Sequence, residues 1–200
     1  MNLDRAVHQA ASLLLDYPDE SWPARREQVA VALAGLPGEA PGLLRGFCRW
    51  AAAVPPLDLA ARYVTTFDRS RRRTLHLTHY TDGDTRRRGA TLAALKARYR
   101  EHGWEPAGGE LPDHLPALLE FAARCPGPGA ALLREHHGAL TLLTRGLAAH
   151  GSPYAGVVRA VLTTLPAVPA AAPVPVREDP APGLLPYPLR HAPGEEGVRR

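Results

Sequence analysis

Within nine positions this chain carries His76, His79, Asp82 and Asp84, and a further imidazole follows at His114. Imidazole and carboxylate side chains at such short spacing are metal ligands, and a metal-dependent hydrolase is one reading of them. Asp82-Gly83-Asp84 is also a turn sequence, because glycine permits positive φ and the flanking carboxylates satisfy turn N–H groups. On that second reading His76 and His79 are half-buried polar neighbours. Seven arginines crowd the same stretch: Arg69, Arg71, Arg72, Arg73, Arg86, Arg87 and Arg88. Guanidinium groups in runs can meet phosphates, which makes a nucleic-acid binder the other rival. Against it stand the interleaved Asp68, Asp82 and Asp84 and the lack of a recognition fold or base-stacking series nearby. A solvated, partly ion-paired face, or contact with an anionic ligand or protein, accounts for the run better. The chain has no glycine-rich phosphate loop, no G-x-S-x-G elbow, no H-E-x-x-H and no EF-hand loop.

A third set is aromatic. Tyr63, Phe67, Tyr80, Tyr99 and Trp104 fall in the same central region. Rings at helical spacing build cores, and they also line grooves that accept an amphipathic peptide helix. Periodicity alone does not separate the two.

Helices must position these groups. Of 200 residues, 45% are apolar and 22% charged, ordinary for a globular chain with one substantial core. The apolar share is 34 Ala and 29 Leu against 12 Val and no Ile. Ala and Leu favour helix and β-branched residues favour strand, so an all-α fold is expected. The surplus of arginine over aspartate between Asp68 and Arg88 equals the formal net charge of +4, so any basic patch is local. Two cysteines without CxxC spacing, and an N-terminus that enters an amphipathic pattern, fit a cytoplasmic protein without membrane insertion.

Apolar spacing marks helices around Leu3–Leu15, Val29–Leu36, Leu43–Ala51, Leu59–Phe67, Leu92–Tyr99, Leu118–Ala122, Leu132–Leu147 and Val157–Leu165. In the stretch Leu75 to Asp84, Leu75-His76-Leu77 alternates like a strand, but a lone strand lacks a partner, so a short helix or turn is expected over the stretch. Asp113 is placed as an N-cap, with Pro116 in the first turn that follows. Nine prolines between Pro166 and Pro193 deny that stretch a packed element. The expected organisation is a bundle of seven to nine helices over residues 1–166 and a disordered Pro-rich tail over 167–200.

Three blocks in order then carry a resemblance: Tyr63 to Asp68, Leu75 to Gly89, and Glu110-Leu111-Pro112-Asp113-His114-Leu115-Pro116. With the opening Leu13-Leu14-Leu15-Asp16-Tyr17-Pro18, they resemble the nitrate reductase delta subunit family over roughly residues 5–165. His79-Tyr80 departs from the aromatic pair expected at that point, and the proline tail lies outside the family core.

The resemblance implies an all-helical, non-enzymatic molybdoenzyme chaperone. It implies a partner, the N-terminal segment of the catalytic alpha subunit of respiratory nitrate reductase, bound while molybdopterin cofactor is inserted. It also implies that the chaperone leaves the mature enzyme and holds no cofactor stably itself. Cofactor delivery proteins are further candidate partners, and a different molybdoenzyme is the alternative client. A Glu-Pro-Asp-His-type motif maps onto Glu110, Pro112, Asp113 and His114. Taken with the aromatic cluster, the expected client-binding set is Tyr63, Phe67 and Tyr80 along an apolar groove. Asp68, Asp84, Arg86, Glu110, Pro112, Asp113 and His114 complete it, with no catalytic or metal-ligating residue assigned.

Overall fold

The structure is a computed structural model in which residues 3–83, 85–106 and 109–166 are described. Asp84 and the Pro-rich segment from 167 onward lie outside the described residues. Ten α-helices are present among the described residues: α1 (Leu3–Leu15), α2 (Trp22–Leu33), α3 (Glu39–Ala52), α4 (Pro56–Tyr63), α5 (His79–Asp82), α6 (Arg86–Glu101), α7 (Leu115–Arg124), α8 (Pro126–Glu135), α9 (His137–Ala149) and α10 (Tyr154–Leu162). None is long and apolar enough to cross a membrane.

The first helix is the hub. Val7, Ala11, Leu14 and Leu15 repeat at three- and four-residue spacing and are fully buried. They set α1 against α7 and α10, with α2 and α3 at its sides. Around Tyr154 at the start of α10 the rings of Phe47, Trp50, Tyr63 and Phe67 gather at centroid distances of 4.7 to 6.4 Å. A second aromatic group, Tyr99, Trp104 and Phe121, pins α6 to α7.

Three local expectations are corrected. The single helix expected over Leu132–Leu147 is two, broken at buried His136, whose Nδ1–H donates to the Leu132 carbonyl at 3.0 Å. That carbonyl also takes the His136 backbone N–H at 3.1 Å, so the turn closes on itself and the chain restarts as α9. This break and the short α5 raise the helix count above nine. The fourth helix does not run smoothly to Phe67: after Tyr63 it widens into a π-helical turn, Val64–Asp68. The extra residue in such a turn re-aims the side chains beyond it, and π turns occur often at functional sites.

The third correction is partial: the turn and short helix expected after Leu75 are present at Leu77–Thr78 and in α5, but His76 does find a partner, an antiparallel bridge to His114. Leu77 N–H donates to the Asp113 carbonyl at 3.0 Å, and Leu115 N–H to the Leu75 carbonyl at 2.9 Å. Leu75 and Leu77 point into the core, as strand alternation requires.

Two glycines allow close approach. A Cβ on Gly146 of α9 would stand 2.9 Å from the Arg72 carbonyl, so α9 supports the 3₁₀ turn Arg71–Arg73. A Cβ on Gly129 of α8 would stand 2.7 Å from the Ala122 Cβ of α7, with backbone closer still. Gly129→Ala therefore forces α7 and α8 apart and is expected to cost about 1–3 kcal/mol. Chemical denaturation measures this, and an unchanged midpoint with unchanged slope contradicts the close crossing.

Candidate functional site

Asp113 is fully buried, and it is not an N-cap. Helix α7 starts two residues later, with His114 at the cap position and no side-chain capping bond. The carboxylate instead takes donors from a distant segment and another helix. Its Oδ1 accepts from His76 Nδ1 at 3.1 Å. Its Oδ2 accepts from the Thr78 hydroxyl, from Thr78 N–H at 3.3 Å and from Arg88 Nη2 at 3.4 Å. Arg88 Nε donates in turn to the Thr78 hydroxyl at 3.1 Å.

Burial alone pushes the Asp113 carboxyl upward. The hydrogen bonds from His76 and Thr78, and the charges of His76 and Arg88, more than reverse this and bring it down to about 2. A buried carboxylate with donors at both oxygens stays ionised at neutral pH.

The neighbours of Asp113 are fixed through the same segment. Pro112 is buried, and its carbonyl accepts from the Tyr99 hydroxyl at 2.6 Å. His114 Nδ1–H donates to Glu110 Oε2 at 3.3 Å, and its ring lies 5.2 Å from that of His76. Burial holds the His114 imidazole below its ordinary range, against the opposing charges of Glu110 and Asp16.

Above the network lies a cleft of about 390 Å³ whose walls include Phe67, Asp68, Thr74, His76, His79 and Arg88. The π-helical turn supplies Phe67 and Asp68, while Asp113 fixes His76 and Arg88 on the other side. Beside it Tyr17 is 46% exposed, its ring edge-on to Tyr63 at 5.4 Å, and Leu111 is 43% exposed. Burial raises the Tyr63 phenol far above its ordinary range. Neighbouring Tyr154 and the carboxylates Asp16, Asp68 and Glu110 raise it further.

The expected site residues thus separate. Phe67, Asp68, Glu110, Asp113 and His114 gather around the cleft and the bridge beneath it. The rings do not lie open along a groove: Tyr63 is 6% exposed and donates its hydroxyl to the Leu15 carbonyl, and Phe67 is 4% exposed. Phe67 reaches the cleft only at its wall. Tyr80 is turned to the Arg-rich turn, donating to the carbonyls of Arg72 and Thr74. Arg86 is exposed at the start of α6. The sequence reading did not name Thr78, Asp16 or Tyr17 for the candidate site, and it named His76 and Arg88 only for a metal or an anionic partner. The opening Asp16-Tyr17 carried a signal within the family-like blocks; the ties from Arg88 and Thr78 to Asp113 carried none. Among the described residues no three His, Cys, Asp or Glu side chains form a group that could hold a metal.

The fold is similar, at a TM-score of 0.61 and 20% identity, to a crystal structure described as that of a putative redox enzyme maturation protein from Archaeoglobus fulgidus. That likeness covers 80% of this chain and 92% of the other. Residues 33–160 match the nitrate reductase delta subunit family, and the chain belongs to it. It is 37% identical over 148 residues to the nitrate reductase molybdenum cofactor assembly chaperone NarJ of Escherichia coli, covering 72% of this chain and 63% of that one. It is 32% identical to the probable NarJ of Bacillus subtilis, covering 81% and 90%. The nitrate reductase-like protein NarX of Mycobacterium tuberculosis is 40% identical over 159 residues, 79% of this chain. The chain spans about a quarter (24%) of NarX's length.

Asp113→Asn keeps the shape and removes the charge on which three donors converge. Breaking a buried ion pair in this way is expected to cost about 3 kcal/mol, against about 1 kcal/mol for a lost N-cap. The folded carboxyl titrates below its ordinary value of 3.8, so its stabilisation is complete above that value and disappears as pH falls through about 2. Denaturation across pH 2–5 should show this acid-dependent component in the parent and not in Asp113→Asn. Equal acid limbs would contradict the network.

Proposed function

We propose that this protein is a dedicated chaperone of respiratory nitrate reductase maturation. It holds the N-terminal segment of the catalytic alpha subunit while molybdopterin cofactor is inserted, and it is not part of the mature enzyme. Membership of the family and the likeness to the NarJ assembly chaperones support the maturation role. The single observation that carries the peptide-binding role is the patch around Tyr17. There the half-exposed Tyr17 ring, beside Asp16 in the chain, stands edge-on to Tyr63, on whose phenol Asp16, Asp68 and Glu110 act.

An amphipathic segment with aromatic or aliphatic anchors and basic side chains fits such a patch. Apolar burial supplies affinity, and the acidic rim supplies register and on-rate. Asp113 acts here as a positioning residue, since it is wholly buried and fixes His76 and the Glu110–His114 segment. The cofactor is the client's cargo, and delivery proteins would approach the complex rather than this chain alone. No bond-making step is required of the chaperone.

Truncation of an aromatic anchor at a peptide interface costs about 2 kcal/mol or more, whereas a distant surface charge costs far less. A synthetic peptide of the alpha-subunit N-terminus, titrated calorimetrically, should therefore bind Tyr17→Ala at least about tenfold more weakly than it binds the parent. Arg134→Ala, on α8, should leave the affinity unchanged. Equal affinities for parent and Tyr17→Ala, in folded protein, would contradict the assignment of the patch.

A further inference from the structure

The connection from α1 to α2 borders a hollow of about 150 Å³ next to the Tyr17 patch. Its apolar walls are Pro18, Trp22, Pro23, Val54, Pro56 and Leu59. Pro18 follows Tyr17 in the chain, and Leu59 stands one turn before Tyr63, against whose ring Tyr17 packs. Arg25 holds the connection in place. Its guanidinium pairs with Asp16 at 3.4 Å and Asp19 at 3.2 Å and donates to the Tyr17 carbonyl at 3.0 Å. A hollow of this size accepts one benzene-sized group, so a single side chain of the size of Leu or Phe fills it.

A second observation is independent of shape. Trp22 lines the hollow and is 2% exposed, and its indole N–H has no hydrogen-bond partner among the described residues. Buried donors are nearly always matched, and an unmatched one costs stability. A carbonyl arriving in the hollow is the acceptor that this N–H lacks. Charge adds a further requirement. The connection carries Asp16, Asp19 and Glu20 against the guanidinium of Arg25, while Arg26 pairs with Glu27 at 3.5 Å. The surroundings of the hollow are therefore acidic in balance, which favours a basic neighbour beside the group that enters.

We propose that this hollow is the socket for one anchoring side chain of the client segment. The occupant is an aliphatic or aromatic residue with a basic neighbour in sequence, and a main-chain carbonyl of that segment accepts from the Trp22 indole. The N–H is closed to solvent in the free protein, so the carbonyl reaches it as the entering side chain presses the walls apart. The inference rests on the peptide-binding reading above and adds to it the chemistry of one client residue. A small apolar molecule would fill the volume but leave the indole unmatched and the acidic surroundings unused.

The test titrates the full chain with the synthetic alpha-subunit peptide and follows the indole N–H resonances. Three tryptophans give three such signals, and Trp22→Phe identifies the one from Trp22. Saturable movement of that signal is expected, together with slower exchange of its proton. Trp22→Phe keeps a ring against Phe47 and removes the donor, so it should weaken binding about fivefold. Ala52 lines the hollow from an exposed position at the end of α3, and Ala52→Phe should fill it and weaken binding at least about tenfold. That exposed substitution decides the matter if Trp22→Phe is unstable. A peptide that binds and is weakened by Tyr17→Ala, with the Trp22 signal unmoved and Ala52→Phe at parent affinity, would overturn the socket and leave the patch standing. A parent that binds no peptide would overturn both. A Trp22 signal that moves with protein concentration alone would give the hollow to a second copy of this chain and overturn the proposal as well.

Discussion

A single buried carboxylate organises the part of this molecule that distinguishes it from a generic helical bundle. Asp113 could not be buried alone, since an isolated ionised carboxylate is far costlier in the interior than a neutral polar group. It is tolerated because His76, Thr78 and Arg88 all reach it, and they come from two otherwise separate stretches of chain. The backbone pairing of Leu75 and Leu77 with Leu115 and Asp113 brings those stretches into register. Charge and backbone pairing thus support one another: the bridge delivers the donors, and the carboxylate gives the bridge a reason to hold.

The consequence reaches the surface through short links. His76 stacks beside His114, His114 holds Glu110, and Tyr99 holds the intervening Pro112 from below. On the opposite wall the π-helical turn sets Phe67 inward and Asp68 outward. Tyr17, at the end of the central helix α1, leans on Tyr63 and completes the patch. Rigid elements therefore supply each component of the candidate binding surface. None of them needs to do chemistry for the surface to be useful.

Much of the helical frame was legible in the sequence, because burying one face of a helix writes a three-to-four-residue period into the chain. Leu14 and Leu15 on α1, or Val157 and Val161 on α10, announce themselves this way and are fully buried. What periodicity misses is anything set by partners distant in sequence. His136 has no helix-breaking chemistry of its own, so the division of α8 from α9 was invisible. Leu75-His76-Leu77 has strand alternation, but the bridge partner of His76 is His114, 38 residues onward in a stretch that reads as a helix start. Asp113 illustrates the ambiguity most sharply. An aspartate just before a helix looks the same whether its oxygens serve the next turn or a distant histidine and arginine. The clustering of Tyr63 and Phe67 placed them along a groove, whereas their rings belong to the core.

The central claim is that the Asp113 carboxylate locks the 75–78 and 110–115 segments together beneath the candidate binding surface. Amide hydrogen exchange at Leu77, Thr78 and Leu115 in the parent and in Asp113→Asn measures that lock directly, residue by residue. The account predicts that protection at these three amides falls sharply in the variant while that of the α1 and α10 core is reduced far less. Protection that is unchanged there, or lost uniformly across the whole bundle, would contradict it.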